Sequence, residues 1–220
     1  MSLLKQTASV PCENNTAGCH VQITLNQKEI HEKTCSYRRV KCVEIECPKL
    51  LRAGEFLDHI KSHDIKCLNS LKRRGQIDVD KEFFDCSSIQ WGPDYFCHNE
   101  HHFFFHLVKY EKYLYAWVYV FCFPSKEIKV NYKYKFSIKA NQGRIIIETC
   151  EDCIPLEEHS LLSISKISEF SNITSCFSIQ TNIIQMLPKS NKLDFEVNIY
   201  KDDDKESIPD KSDVANVDEH

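Results

Sequence analysis

Cysteine and histidine recur on a fixed spacing between Cys12 and His63. Six residues separate Cys12 from Cys19, eleven separate Cys19 from His31, and three separate His31 from Cys35. Six residues later the pattern returns as Cys42, four residues, Cys47, eleven residues, His59, three residues and His63. Two four-ligand sets with the same eleven- and three-residue spacers read as two structural zinc ions per chain, one held by Cys3His and one by Cys2His2. His31 with Cys35, and His59 with His63, are i,i+4 pairs that share one face of a helix. Each cysteine pair then sits on a short knuckle, and Gly18 suits the turn before Cys19. Four protein ligands leave an ion no open position, so both sites read as structural rather than catalytic. Units this short have almost no core of their own and are expected to fold only with their metal.

Two competing uses of these residues fall short. Disulfides would employ the cysteines but leave the matched histidines without a role. His20 and Cys67 lie nearby, fit neither repeat, and read as bystanders. The stretch before Cys12 lacks the apolar core of a signal peptide. The longest apolar run, Leu114–Phe123, is too short to span a bilayer. The reading is therefore a reducing compartment, the cytoplasm with the nucleus as a second location, where Cys/His clusters bind metal.

Formal net charge is −4, and residues 201–220 carry −5 of it, so the rest of the chain has no pull toward a polyanion. Residues 1–11 read as an unstructured lead-in, 12–67 as the double finger, 68–82 as a polar linker, 83–200 as a second domain and 201–220 as a disordered acidic tail.

In the second domain the period is two. Ile128–Lys139 and Leu193–Ile199 alternate apolar with polar residues, as strands with one buried and one wet face do. Phe103–Val108, Leu114–Phe123, Arg144–Thr149 and Phe177–Ile179 read as further strands. Leu114–Phe123 is apolar on both sides and so should be central or lie at a subunit contact. Leu161–Phe170 stays open between strand and helix. Short strands at close spacing predict an antiparallel β-sandwich. Overall the expected fold is a small α+β zinc-finger module followed by an all-β domain.

This order of parts resembles the Siah (seven in absentia) family. The first finger is carried by PCENNTAGCHVQITLNQKEIHEKTCSYRRVKC and the second by CPKLLRAGEFLDHIKSH. The later stretches FFFHLVKYEK, YKYKFSIKANQGRIIIET and LDFEVNIY are similar to the family's substrate-binding domain, which is TRAF-like. The resemblance spans roughly residues 9–200. It implies a dimeric sandwich that takes protein substrates or degron peptides as an added strand, pairing as a homodimer or with a RING-containing relative. In that family a RING finger precedes the double finger and recruits the ubiquitin-conjugating enzyme. No Cys or His lies among the eleven residues before Cys12, and no further cluster of RING type follows, so the expectation is a recognition module without ubiquitin transfer of its own. The alternative is a ligase whose RING lies outside this sequence. The family's peptide groove would fall on Asp78–Phe96, with Phe84, Ile89, Trp91 and Tyr95 as its residues, joined by Phe83.

Other candidates compete. His98, His101, His102 and His106, with Cys97, invite a metal reading against that of a polar loop and strand. Cys150 and Cys153 resemble a redox pair, but no βαβ pattern surrounds them, so they read as reduced hairpin cysteines. Cys86, Cys122 and Cys176 read as core or loop thiols. DNA-reading fingers use a shorter cysteine spacing than Cys12–Cys19 and carry a basic face. Residues 12–67 hold nine Lys/Arg against eight Asp/Glu, so no nucleic-acid partner is expected. No set of nucleophile, base and orienting group is legible.

Overall fold

Alternation of buried and wet residues marks the strands over Tyr132–Lys139 and Lys192–Lys201. The computed structural model describes residues 9–44, 46–122, 132–139, 145–156, 175–186 and 192–202. Leu161–Phe170, most of the expected lead-in and the tail beyond residue 202 lie outside them.

The N-terminal part is a string of short pieces. Strands β1 (Ser9–Pro11) and β2 (Gln22–Thr24) pair antiparallel, and helix α1 (Leu25–Thr34) follows directly. A capping box starts α1, with the Thr24 and Gln27 side chains bonding back across the first turn. Strands β3 (Arg39–Lys41) and β4 (Leu50–Arg52) form a second hairpin, followed by helix α2 (Phe56–Lys61).

The remaining elements are β5 (Cys67–Leu68), β6 (Lys72–Asp78), α3 (Lys81–Asp85), β7 (Ser88–His98), β8 (His101–Tyr110) and β9 (Tyr113–Cys122). They continue with β10 (Tyr132–Lys139), β11 (Ile145–Asp152), β12 (Ile154–Pro155), β13 (Phe177–Gln180), α4 (Thr181–Gln185) and β14 (Lys192–Lys201). Four strands pair antiparallel in the order β11-β10-β14-β6. A second sheet runs β12-β9-β8-β7-β5, with β13 also on β9. Its long strands are antiparallel, while the two-residue β5 and β12 join in parallel.

The two sheets share one apolar core. Tyr132, Tyr134, Phe136 and Ile138 of β10 and Leu193, Phe195, Val197 and Ile199 of β14 bury against Phe103, Phe105 and Leu107 of β8 and Leu114, Ala116 and Val118 of β9. The expected strands over Phe103–Val108 and Leu193–Ile199 thus lie within β8 and β14, and of Leu114–Phe123 the described part to Cys122 lies in β9. Of Ile128–Lys139, the described part from residue 132 is β10.

The span 68–82, read as a linker, holds the β6 strand and the start of α3. Gly75 of β6 sits opposite Phe195, where a Cβ would run into the Phe195 ring. The strand buries only Ile77, and its cations bind across the sheet: Lys72 and Arg74 both reach Glu196, at 2.6 Å and 2.9 Å. A strand at a sheet edge keeps its charges wet, which is why it reads as linker.

The apolar character of β9 on both faces has a direct cause. Its second face, with Tyr115, Trp117, Tyr119 and Phe121, packs with Phe104 and Val108 of β8 against Val40, Val43, Ala53, Phe56 and Ile60. The second Cys/His unit therefore docks on the outside of the six-stranded sheet. The Phe56 ring lies 4.6 Å from Phe121 and edge-on at 5.6 Å from Phe104. Arg38 caps the Phe121 ring at 5.3 Å.

Candidate metal centres

The first centre is assembled from three local devices. Cys12 caps a kinked 3-10 segment over Glu13–Ala17, which Gly18 ends in the left-handed conformation, at φ 113°. That reversal brings Cys19 back beside Cys12. Helix α1 carries His31, and Cys35 follows its last turn. The ligand atoms of Cys12, Cys19, His31 and Cys35 all lie within 4.8 Å of one another. The second centre uses a turn after β3 for Cys42 and Cys47, with the Cys47 amide donating to the Glu44 carbonyl at 3.0 Å. His59 projects from α2 and His63 from the turn that ends it. Cys42, Cys47, His59 and His63 again converge within 4.8 Å.

The spacings inside each group can be compared with a tetrahedron. An ion with bonds of zinc's length, about 2.3 Å to sulfur and about 2.0 Å to nitrogen, gives edges of about 3.8 Å for S–S, about 3.5 Å for S–N and about 3.3 Å for N–N. The observed edges are 3.8 Å for Cys12–Cys35 and 3.4 Å for Cys19–His31 Nε2. In the second centre they are 3.3 Å for Cys42–His63, 3.4 Å for Cys47–His59 and 3.0 Å between the two imidazole Nε2 atoms. The donor sets fit a four-coordinate metal ion, and each has all of its positions filled by protein.

Burial governs the electrostatics of both sites. All five cysteines are buried and none is in a disulfide. Burial, reinforced by neighbouring thiols, pushes Cys35 and Cys42 up to about 12. An entering cation must displace those protons, so loading releases acid. Burial, with His63 beside it, holds His59 below the ordinary imidazole range, leaving a lone pair free at neutral pH.

The residues named for a peptide groove do not share one surface. Phe84, Ile89 and Trp91 pack against the core between the sheets, and Phe83 is buried within it. Tyr95 packs on the opposite face, stacked on Phe104 at 5.0 Å. The cause is a bulge between Trp91 and Asp94, around Gly92 and Pro93. One extra residue exchanges the two faces of the strand beyond it, so Tyr95 faces away from Ile89 and Trp91.

The histidines after Cys97 are also dispersed. His101 Nδ1 meets the Asn99 carbonyl oxygen at 2.8 Å, and His102 Nδ1 meets the Tyr95 hydroxyl at 2.7 Å. His106 is fully buried, stacked on Trp117 at 5.0 Å, with neither ring nitrogen hydrogen-bonded. Burial pushes it down to about 3, so the ring is neutral. Among the described residues only the two groups above bring three or more ligand atoms together. Cys150 is exposed beside the Tyr200 hydroxyl, whereas Cys153 is buried in the core, and neither forms a disulfide. No described helix is long and apolar enough to cross a membrane.

Sequence reasoning missed the docking residues of the second unit. The available signal was the double-sided apolar run of β9, which requires a cover on its outer face. No protein-family profile matches the chain, and no curated protein is similar enough to count as a relative.

Proposed function

We propose that this chain is a zinc-binding protein-interaction module of the ubiquitin pathway, similar to the substrate-recognition part of a Siah-type ligase, with its two large sheets forming a TRAF-like sandwich. The observation that carries this reading is the convergence of two closed four-ligand Cys/His centres, one of them docked on a sheet. Zinc is the ion of choice because mixed thiolate and imidazole ligands at tetrahedral spacing suit it. With every coordination position filled by protein, the ions build surface rather than perform chemistry.

The peptide site of this proposal is the outer edge of β7. At Tyr95 and Phe96 that edge is covered by β5, but among the described residues nothing pairs with Ser88–Asp94 on the side away from β8. An extended segment of a protein substrate laid there gains main-chain hydrogen bonds, and alternate side chains set its specificity. The sandwich would pair with a second copy or with a RING-containing relative, which supplies the ubiquitin transfer. The near-even charge of the fingers gives phosphates little attraction and disfavours a nucleic-acid role.

The test is reconstitution. With purified activating and conjugating enzymes the chain alone should make no ubiquitin chains, and with a Siah-type RING ligase present it should co-purify with that ligase and alter substrate modification. Ubiquitin transfer by the chain alone, or failure to bind the RING-containing protein at micromolar concentration, would refute the proposal.

A further inference from the structure

Strand β6 ends the four-stranded sheet. β14 pairs with it along its whole length, from Lys72 opposite Asn198 to Asp78 opposite Lys192. Among the described residues no strand pairs with its other side. One long side of a seven-residue strand is thus open to a further strand.

The charge along this edge is uneven. Lys72 and Arg74, joined by Lys139 of β10, converge on the single carboxylate of Glu196 at 2.6 Å, 2.9 Å and 2.8 Å. Arg73 turns to the other face and meets Asp94 of β7 at 3.3 Å. Toward its other end the strand is neutral or acidic: Gln76 donates to Asp194 at 2.8 Å, and Asp78 meets Lys192 at 3.7 Å. The Lys72 and Arg74 side chains are 44% and 72% exposed, against 14% for Glu196. An approaching chain therefore meets the cations, while the anion that they share is covered. Against the cost of its burial, hydrogen bonds from Lys139, Lys72 and Arg74 hold the Glu196 carboxyl down at about 2. Glu196 stays ionised at neutral pH and keeps the cations in place. A shallow groove of about 580 Å3 adjoins them, lined by Leu68, Asn69, Ser70, Lys72, Arg73 and Arg74.

Cations on an edge strand guard it against stray pairing. An apolar strand would have to strip their water, and a basic strand is repelled. An acidic strand is attracted instead. We propose that the β6 edge binds an acidic, extended segment of a partner protein as a fifth strand of this sheet. Lys72 and Arg74 lie two residues apart on one face, about 6.6 Å along the strand. Carboxylates at alternate positions of the incoming segment match that spacing. The backbone ladder supplies affinity, and the carboxylates opposite Lys72 and Arg74 set register and direction. This edge is distinct from that of β7, and the inference rests on sheet topology and charge, not on a role in ubiquitin chemistry.

The experiment uses the full, metal-loaded chain and a fluorescein-labelled peptide of about nine residues in which Glu and Thr alternate. Fluorescence anisotropy should show saturable binding that weakens as salt rises. Hydrogen exchange should slow at Lys72–Asp78 when the peptide is bound. The Lys72→Gln, Arg74→Gln double variant should bind at least about tenfold more weakly, with its circular dichroism and metal content unchanged. Where that variant does not fold, two further peptides decide the matter on the unsubstituted chain. A Lys/Thr peptide of the same length should not bind. A Glu/Thr peptide with its central residues N-methylated should lose affinity, because it cannot complete the ladder. Absence of saturable binding, or equal binding of either control peptide, would overturn the proposal. Slowed exchange at Ser88–Asp94 in place of Lys72–Asp78 would do the same. So would binding that appears only once residues 203–220 are removed, which would make the chain's own acidic tail the occupant. Displacement of the peptide by tighter, salt-sensitive binding of duplex DNA would assign the cations to phosphate and overturn it as well.

Discussion

The two Cys/His units share their eleven- and three-residue spacers but not their support. Besides its ligands the first unit buries Ile23, with Val10 and Tyr37 packed alongside, and that cluster includes no strand of either large sheet. The second gives Val40, Val43, Ala53, Phe56 and Ile60 to a core whose other half is the aromatic face of β8 and β9. The eleven- and three-residue spacers therefore serve two kinds of unit, one with little beyond its Cys/His set and one that also has apolar burial against a sheet. The lesson is that ligand spacing fixes a metal centre but says nothing about what holds it in place.

Metal removal should separate the units most strongly. Structural ions contribute on the order of 10–16 kcal/mol to isolated fingers. On chelation, residues 12–35 should lose their amide protection almost completely in hydrogen exchange, while Val40, Phe56 and Ile60 keep part of theirs. Equal loss in both units would erase the distinction.

Phe56→Ala attacks the docking directly. Truncating a buried aromatic ring costs about 3–5 kcal/mol. The loss should appear in denaturant unfolding of the metal-saturated chain, whereas Ile23→Ala should leave unfolding of the sheets unchanged. Gly75→Val drives a side chain into the Phe195 ring and should cost about 1–3 kcal/mol in the same measurement. That change tests the other end of the molecule and should leave the metal content of both units intact.

His106 lies beneath the second unit's side of the sheet and gives the smallest effect. Its folded value is about 3 against an ordinary 6.5, so below pH 6.5 the unfolded chain takes up a proton that the folded chain refuses. Stability is complete above that range and falls with acidification, by about 1–2 kcal/mol between pH 6.5 and 5. His106→Leu removes two unpaired nitrogens and should flatten that part of the profile relative to the parent chain. Identical profiles would show that His106 is not held neutral.

The ligand sets were legible because helix turns and knuckles tie each ligand to a fixed offset. The strands around Phe136 and Val197 were legible for a similar reason, since alternation survives wherever one face is buried and the other wet. β6 was not, because Lys72, Arg73 and Arg74 point to water and their partners lie more than a hundred residues away or across to the other sheet, as in Arg73–Asp94. The face that Tyr95 takes was not legible, because the Gly92–Pro93 bulge exchanges the faces of β7. Nothing local marks Phe56 as a docking residue, because its partners Phe104 and Phe121 lie in another part of the chain.

Native mass spectrometry of the purified chain, paired with X-ray absorption at the metal edge, tests the central claim most directly. The account predicts two zinc ions per chain and an average coordination of sulfur and nitrogen from Cys3His and Cys2His2, with no site held by oxygen. A folded chain that carries no metal, or a single ion, would contradict it and remove Cys12–His63 from the role of metal centre.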